Sequence, residues 1–333
     1  MRGGIKVNSG RFLLTVFALV ALASLLASPV LAQVVSPSQT GHYAPAVINV
    51  RDMAYPPPGL FILAYNLWLS SDTYIDRYGE SLPSELKLDA SAFATVPAVF
   101  WGSNFSLLGG ARYLVGVSPN YFTADGRVIF EEGEGDSAVA RVEEGSVSGW
   151  SDLFISPVTL CWGLTSFDLT FSYGFAAPTG RYSTGADDNV GLGFWTHQFQ
   201  GYGYYYPSPS KATALMLALT YELNGKIKDA DVNPGNRLSL EWGLSQYLTE
   251  QFEVTVQGGH NWQISDDSGS DVYWDPSFHD RKNTVAFGGS FWPWPDWLNI
   301  SLKYAFDFGA RGRLEADYWM LNLIFLTNVL TGE

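Results

Sequence analysis

The sequence predicts an all-β protein, a transmembrane antiparallel β-barrel of about twelve strands of the outer-membrane type, and three observations lead there. Segments of about ten residues alternate apolar and polar side chains along most of the chain, as tilted barrel strands do. Short and long connections alternate between those segments, as a barrel with turns on one side and loops on the other requires. Aromatic residues make up 15% of the chain, with 12 Trp and 18 Tyr, a supply suited to girdles at two membrane interfaces.

The amino terminus comes first. Arg2, Lys6 and Arg11 precede an apolar run from Phe12 to Leu26, and Val30, Leu31 and Ala32 supply small residues before Gln33. This reads as a secretory signal peptide over residues 1–32, which is set aside from the fold. The run is shorter than the roughly 18 to 20 apolar residues of a spanning helix, so any membrane crossing is expected from strands. Residues 33–58 show little periodicity and end in Pro56, Pro57, Pro58 and Gly59, a rigid stretch unsuited to a sheet interior. They read either as a linker or as a plug folded into a barrel lumen, followed by a barrel over residues 59–333.

Strands are expected at 59–70, 84–95, 102–116, 151–162, 167–177, 193–205, 211–223, 236–247, 251–264, 282–291, 297–309 and 313–326. The hairpin 237–263 shows the pattern: Leu238, Leu240, Trp242 and Leu244 oppose Arg237, Ser239, Glu241, Gly243 and Ser245. Its second half sets Phe252, Val254, Val256, Gly258 and His260 against Glu253, Thr255, Gln257, Gly259 and Asn261. A half-buried strand of a soluble sandwich alternates in the same way, so the hairpin alone does not decide. The segments at 167–176 and 211–223 repeat it, with Phe167, Leu169, Phe171, Tyr173 and Phe175 on one face of the first. A sandwich could not keep so many long apolar faces and stay polar outside.

The short connections are expected at 97–101, 163–166, 206–210, 248–250 and 292–296, and the long ones at 71–82, 117–150, 178–192, 224–235 and 265–281. Only 310–312 breaks the alternation. Trp101, Trp162, Tyr204, Tyr205, Tyr206, Tyr247, Trp292, Trp294 and Trp297 rim the short turns, as a periplasmic girdle would. Many such barrels end on an aromatic residue; this chain continues past Phe325 for a further eight residues, so the last strand stops there or the boundary is shifted.

Composition excludes several functions. There are 19 Lys and Arg against 33 Asp and Glu, a net charge of −14; without the three signal-peptide cations the balance is 16 to 33, or −17. Nucleic acid is therefore not an expected partner, because phosphate binding needs clustered cations. The single cysteine, Cys161, allows no internal disulfide and no thiolate metal site. No nucleophile elbow, zinc helix, P-loop or dinucleotide fingerprint is present, so neither an enzyme nor a cofactor nor a metal is expected. His197 and His260 read as interface residues rather than bases.

With apolar faces toward lipid, Asp168, Glu222, Arg237, Glu241, Glu253, Lys303 and Asp307 face the lumen, where a charge escapes the cost of mid-bilayer exposure. They form either a selective constriction or a mutually paired filling of a narrow barrel. Gly243, Gly259 and Gly288 fit close backbone curvature or room in the pore. The acidic connections at 117–150 and 265–281 read mainly as solvated loops, with divalent-cation binding as the sharper reading.

Five stretches resemble one family: PPPG at 56–59, YGFAAPTGRY at 173–182, GFWTHQ at 193–198, LTYELNGK at 219–226 and FDFGAR at 306–311. They are similar to the phenol meta-pathway degradation proteins, outer-membrane channels rather than enzymes, over most of the chain. The resemblance implies passive uptake of small hydrophobic, aromatic compounds across the outer membrane. It gives no catalytic residues. The expected surroundings are outer-membrane lipid and lipopolysaccharide, a small hydrophobic ligand and a monomeric barrel. A general porin, a structural or adhesive surface barrel, and a barrel hydrolase are the alternatives.

Overall fold

Fourteen strand segments make up the computed structural model, which describes residues 41–81, 86–132, 139–184, 186, 188–295 and 297–327. They are β1 (Gly59–Ile75), β2 (Leu86–Leu107), β3 (Ala111–Ser118), β4 (Tyr121–Glu132), β5 (Val139–Trp150), β6 (Leu153–Gly163), β7 (Phe167–Ala177), β8 (Thr196–Tyr205), β9 (Thr213–Asn224), β10 (Arg237–Tyr247), β11 (Phe252–Gln263), β12 (Arg281–Trp294), β13 (Leu298–Arg311) and β14 (Arg313–Leu326). The expected signal peptide and residues 33–40 lie outside the described residues, as does the tail at 328–333.

β1 pairs antiparallel with both β14 and β2, so the sheet closes on itself, and β5, paired with β4 alone among the described strands, extends beyond the closed part. The ring counts twelve strands, because β3 and β4 are one line. Against β2 the register runs from Val99 with Val117 straight on to Thr95 with Tyr121, and only residues 119–120 leave the ladder. β5 and β6 answer them as the facing strand of one long hairpin, broken at residues 151–152. The antiparallel barrel of about twelve strands expected from the sequence is therefore the fold observed.

Two local expectations need correction. The turn expected at 97–101 is the middle of β2, which runs unbroken from Leu86 to Leu107. Pro97 is tolerated there because the register places it opposite Pro119, where the neighbouring strand already interrupts its ladder, and Ser118 Oγ donates to its carbonyl at 2.8 Å. The turn itself lies at Leu108, Gly109 and Gly110, all with positive φ, which glycine adopts at little cost. The second correction concerns the connection 117–150, which is mostly the β4–β5 hairpin rather than a solvated loop.

Burial along the strands is inverted relative to a soluble sheet. In β7, Asp168, Thr170 and Ser172 are buried while Phe167, Leu169 and Phe171 are exposed, and β9 exposes Leu215, Leu217, Leu219 and Leu223. An apolar belt facing outward and a polar face inward is the arrangement a bilayer selects. Tight turns such as 164–166 and 248–251 lie at one end, together with Leu326 at the close of β14; the longer connections lie at the other.

Those longer connections are tied to one another. Arg77 pairs with Asp275, and Lys226 with Asp231, whose carboxylate also accepts from Ser270. The Arg77 and Ser277 donors hold the Asp275 carboxyl down at about 2. His197 stacks on Tyr173 and bonds its hydroxyl, and His260 stacks on Trp262.

Candidate functional site

Residues 41–58 descend through the ring of strands from the long-loop end to the short-turn end. At the top, the His42 amide donates to Glu222 Oε1 at 2.8 Å, and its imidazole lies between Thr196 Oγ1 at 2.8 Å and Asp152 Oδ2 at 2.9 Å. Midway, Tyr43 Oη and the Ala46 amide both donate to Glu241. At the bottom, Arg51 reaches Ser245, Glu253 and the carbonyls of Lys211 and Ala212, and the Tyr55 amide donates to Asp168 Oδ2 at 3.1 Å. Lys303 Nζ donates to the carbonyls of Ala46, Val47 and Ile48 at 2.8, 2.8 and 2.9 Å. Asn322 Nδ2 donates to the Val47 carbonyl at 3.1 Å, and Tyr65 Oη to Asp52 at 2.8 Å.

Five of the seven inward charges named from the sequence, Asp168, Glu222, Glu241, Glu253 and Lys303, thus bond residues 41–58. The other two do not. Arg237 is held by Asp280 at 2.5 Å and by Asn261, and Asp307 by Lys282, Thr284 and Tyr318. Buried charges of this kind are tolerable only when paired and hydrogen-bonded, and here nearly all of them are. Pro56, Pro57 and Pro58 lie below this network at the entry to β1, where the Pro56 carbonyl accepts from Arg112.

The barrel wall is shaped to the segment. A side chain at Gly259 would collide with Pro45, one at Gly163 would stand 2.6 Å from the Tyr55 ring, and one at Gly243 would meet Val50 at 3.0 Å. The inward glycines are therefore places of close backbone approach. Gly288 differs, since its Cβ would meet the Lys303 stem at 2.5 Å. Substituting Gly259→Val should displace Pro45 and raise amide exchange across residues 42–50 severalfold, while Gly201→Ala, which opens onto empty space, should leave exchange unchanged.

The inner wall is not uniformly polar. On β2 the inward residues read Leu86, Leu88, Ala90, Ala92, Ala94, Val96, Ala98 and Phe100, without a charge. On β1 they are Phe61, Leu63, Tyr65 and Leu67, and β14 adds Met320, Ile324 and Leu326. These residues join an apolar cluster at the short-turn end, against which Val47, Ile48 and Tyr55 pack, to one at the long-loop end containing Tyr74, Val128, Val147 and Val190. An apolar stripe therefore spans the height of the barrel beside the polar sector formed by β7 to β13. Reading apolar faces as lipid-facing missed it, because β1 and the lower half of β2 are largely apolar on both faces, while upper β2 turns Leu86, Leu88 and Ala90 inward and Lys87, Asp89 and Ser91 outward. The Ala-x-Ala-x-Ala run at 90–94 was the signal in the sequence.

A closed ring with an outward apolar belt and a lumen divided into polar and apolar sectors defines an outer-membrane-type β-barrel. The chain belongs to the family described as "Putative MetA-pathway of phenol degradation", whose model matches residues 71–323. Among solved structures, an outer membrane channel from Pseudomonas putida F1 superposes with a TM-score of 0.65 at 14% identity, over 84% of this chain and 99% of that one. Looser likenesses are the translocator domain of the autotransporter NalP from Neisseria meningitidis (TM-score 0.45, 13% identity, 83% and 91% covered) and the TodX monoaromatic hydrocarbon channel (0.44, 11%, 83% and 91%). No curated protein matches in sequence.

Proposed function

We propose that this protein is an outer-membrane channel for passive uptake of small hydrophobic, aromatic compounds, and that residues 41–58 plug its lumen. The observation that carries the reading is the uncharged inner face of β2, continuous from Leu86 to Phe100. A water-filled pore has no use for such a wall, whereas an apolar solute gains free energy along it in proportion to the area it removes from water. The family membership and the P. putida channel fold support the same reading. In this account Asp168, Glu222, Glu241, Glu253 and Lys303 hold the plug in register rather than filter ions. The protein is exported by its signal peptide, works as a monomeric barrel in outer-membrane lipid and lipopolysaccharide, and has no catalytic role.

Passage requires the apolar side of the segment, Val47 and Ile48, to part from the β2 stripe while the polar pins act as its hinge. Replacing Ala94→Glu puts a carboxylate where the two apolar clusters meet. An unpaired charge there costs several kcal/mol, so uptake of an alkylphenol should fall about tenfold or more while folding is retained. Unchanged uptake in a correctly folded Ala94→Glu barrel would remove β2 from the path.

A further inference from the structure

We propose that Arg281 and Arg311 form a site, on the outer wall at the long-loop end, for the phosphorylated head group of an outer-leaflet lipid such as lipid A. The β12–β13 register sets Arg281 directly opposite Arg311, and both are exposed on the outward face. Like charges directly opposite one another across strands destabilise the pair, so the arrangement calls for an anion. The protein supplies none: among the described residues neither guanidinium makes an ion pair or side-chain hydrogen bond.

Four acids near the strand ends are engaged elsewhere. Asp280 turns inward to Arg237 and Arg313, Asp307 is held by Lys282, Asp275 pairs with Arg77, and Glu315 accepts the Ala310 amide at 2.8 Å. Two guanidinium groups with open forks match the geometry of a phosphate, which each can bind through two parallel hydrogen bonds.

Height on the barrel distinguishes a lipid phosphate from a free one. From Phe291 near the short turns to Arg281, the strand advances about 34 Å; tilted by about 40°, it climbs about 26 Å, the height of an apolar belt. The arginines therefore stand at the upper margin of that belt. Beneath them the outward face carries Phe308 at 42%, Phe287 at 53% and Leu302 at 55% exposure, a ladder suited to acyl chains. Trp262, the register partner of Arg281, stacks on His260 beside the site. Cations over an apolar ladder complement an anionic head on acyl tails.

The test uses the purified full-length barrel in neutral detergent, titrated with bisphosphorylated lipid A and read by native mass spectrometry. The wild type should retain the lipid, and R281Q/R311Q should bind about tenfold or more weakly. R281K/R311K should bind at an intermediate level, and lipid A stripped of phosphate should bind the wild type no better than bisphosphorylated lipid A binds the Gln variant. All variants must keep heat-modifiable mobility on gels as proof of folding. Equal retention by wild type and the Gln variant overturns the site. So does competition by inorganic phosphate as effective as that by lipid A, which would mean a free-anion site without lipid specificity.

Discussion

Removing residues 41–55 while keeping Pro56 to Pro58 at the entry to β1 is expected to turn a closed barrel into an open pore. Liposomes bearing the shortened protein should swell in a small sugar severalfold faster than those with the full chain. The physical reason lies in the proposed plug: this segment bonds inward-facing residues on β7, β9, β10, β11, β13 and β14, and in that reading it fills the passage between them. Twelve strands enclose more space than the eight that side chains alone can fill, so the emptied lumen should conduct water and solutes. Unaltered swelling by a folded, inserted barrel would mean that the segment does not limit permeation.

Lys303→Met is expected to have the second largest effect. The ammonium is the shared donor for three consecutive carbonyls, at Ala46, Val47 and Ile48, and also reaches Gln257 Oε1 at 3.3 Å. Methionine fills the space but takes the ammonium from all three carbonyls, leaving Val47 to Asn322 and Ile48 to Gln257, and leaves the buried Glu241 without a nearby cation. Breaking a buried charged network of this kind costs about 3–5 kcal/mol. If that cost falls on docking of the segment, the open-to-closed ratio rises by about two to four orders of magnitude. Single-channel recordings should show long openings, and amides from residues 42 to 50 should exchange faster. Asp307→Asn is the control, because Asp307 bonds Lys282, Thr284 and Tyr318 and none of residues 41–58. If both substitutions behave alike, the effect is general destabilisation of the barrel and not release of the plug.

The twelve-strand barrel was legible because alternation in 167–177, 211–223 and 236–264 fixes which face meets lipid, and a one-residue slip would invert every side chain. The inward charges were legible for the same reason. What they touch was not, since Glu241 meets Ala46 and Lys303 meets Val47 across most of the chain, and no local pattern encodes such pairings. Pro97 misled because proline usually ends a central strand; its tolerance depends on Pro119 facing it, a fact of register. The pair Gly109-Gly110 marked the true turn in the sequence. β4 and β5 were hidden because their phase is reversed. Ala124, Val128 and Val147 face inward, while Asp125, Arg127 and Glu144 face out, so the outward charges read as a solvated loop. Above the apolar belt a barrel strand meets water or polar head groups outside, and the alternation that marks lipid exposure no longer applies.

The most direct test of a hydrophobic channel is the initial rate of uptake of a labelled alkylphenol at limiting concentration, in cells with the gene, without it and with it restored, with a small sugar as control. The account predicts that loss of the gene slows the alkylphenol alone and that restoration recovers it. Equal slowing of alkylphenol and sugar would contradict it in favour of a general porin, and no change in either would remove transport from the protein's role.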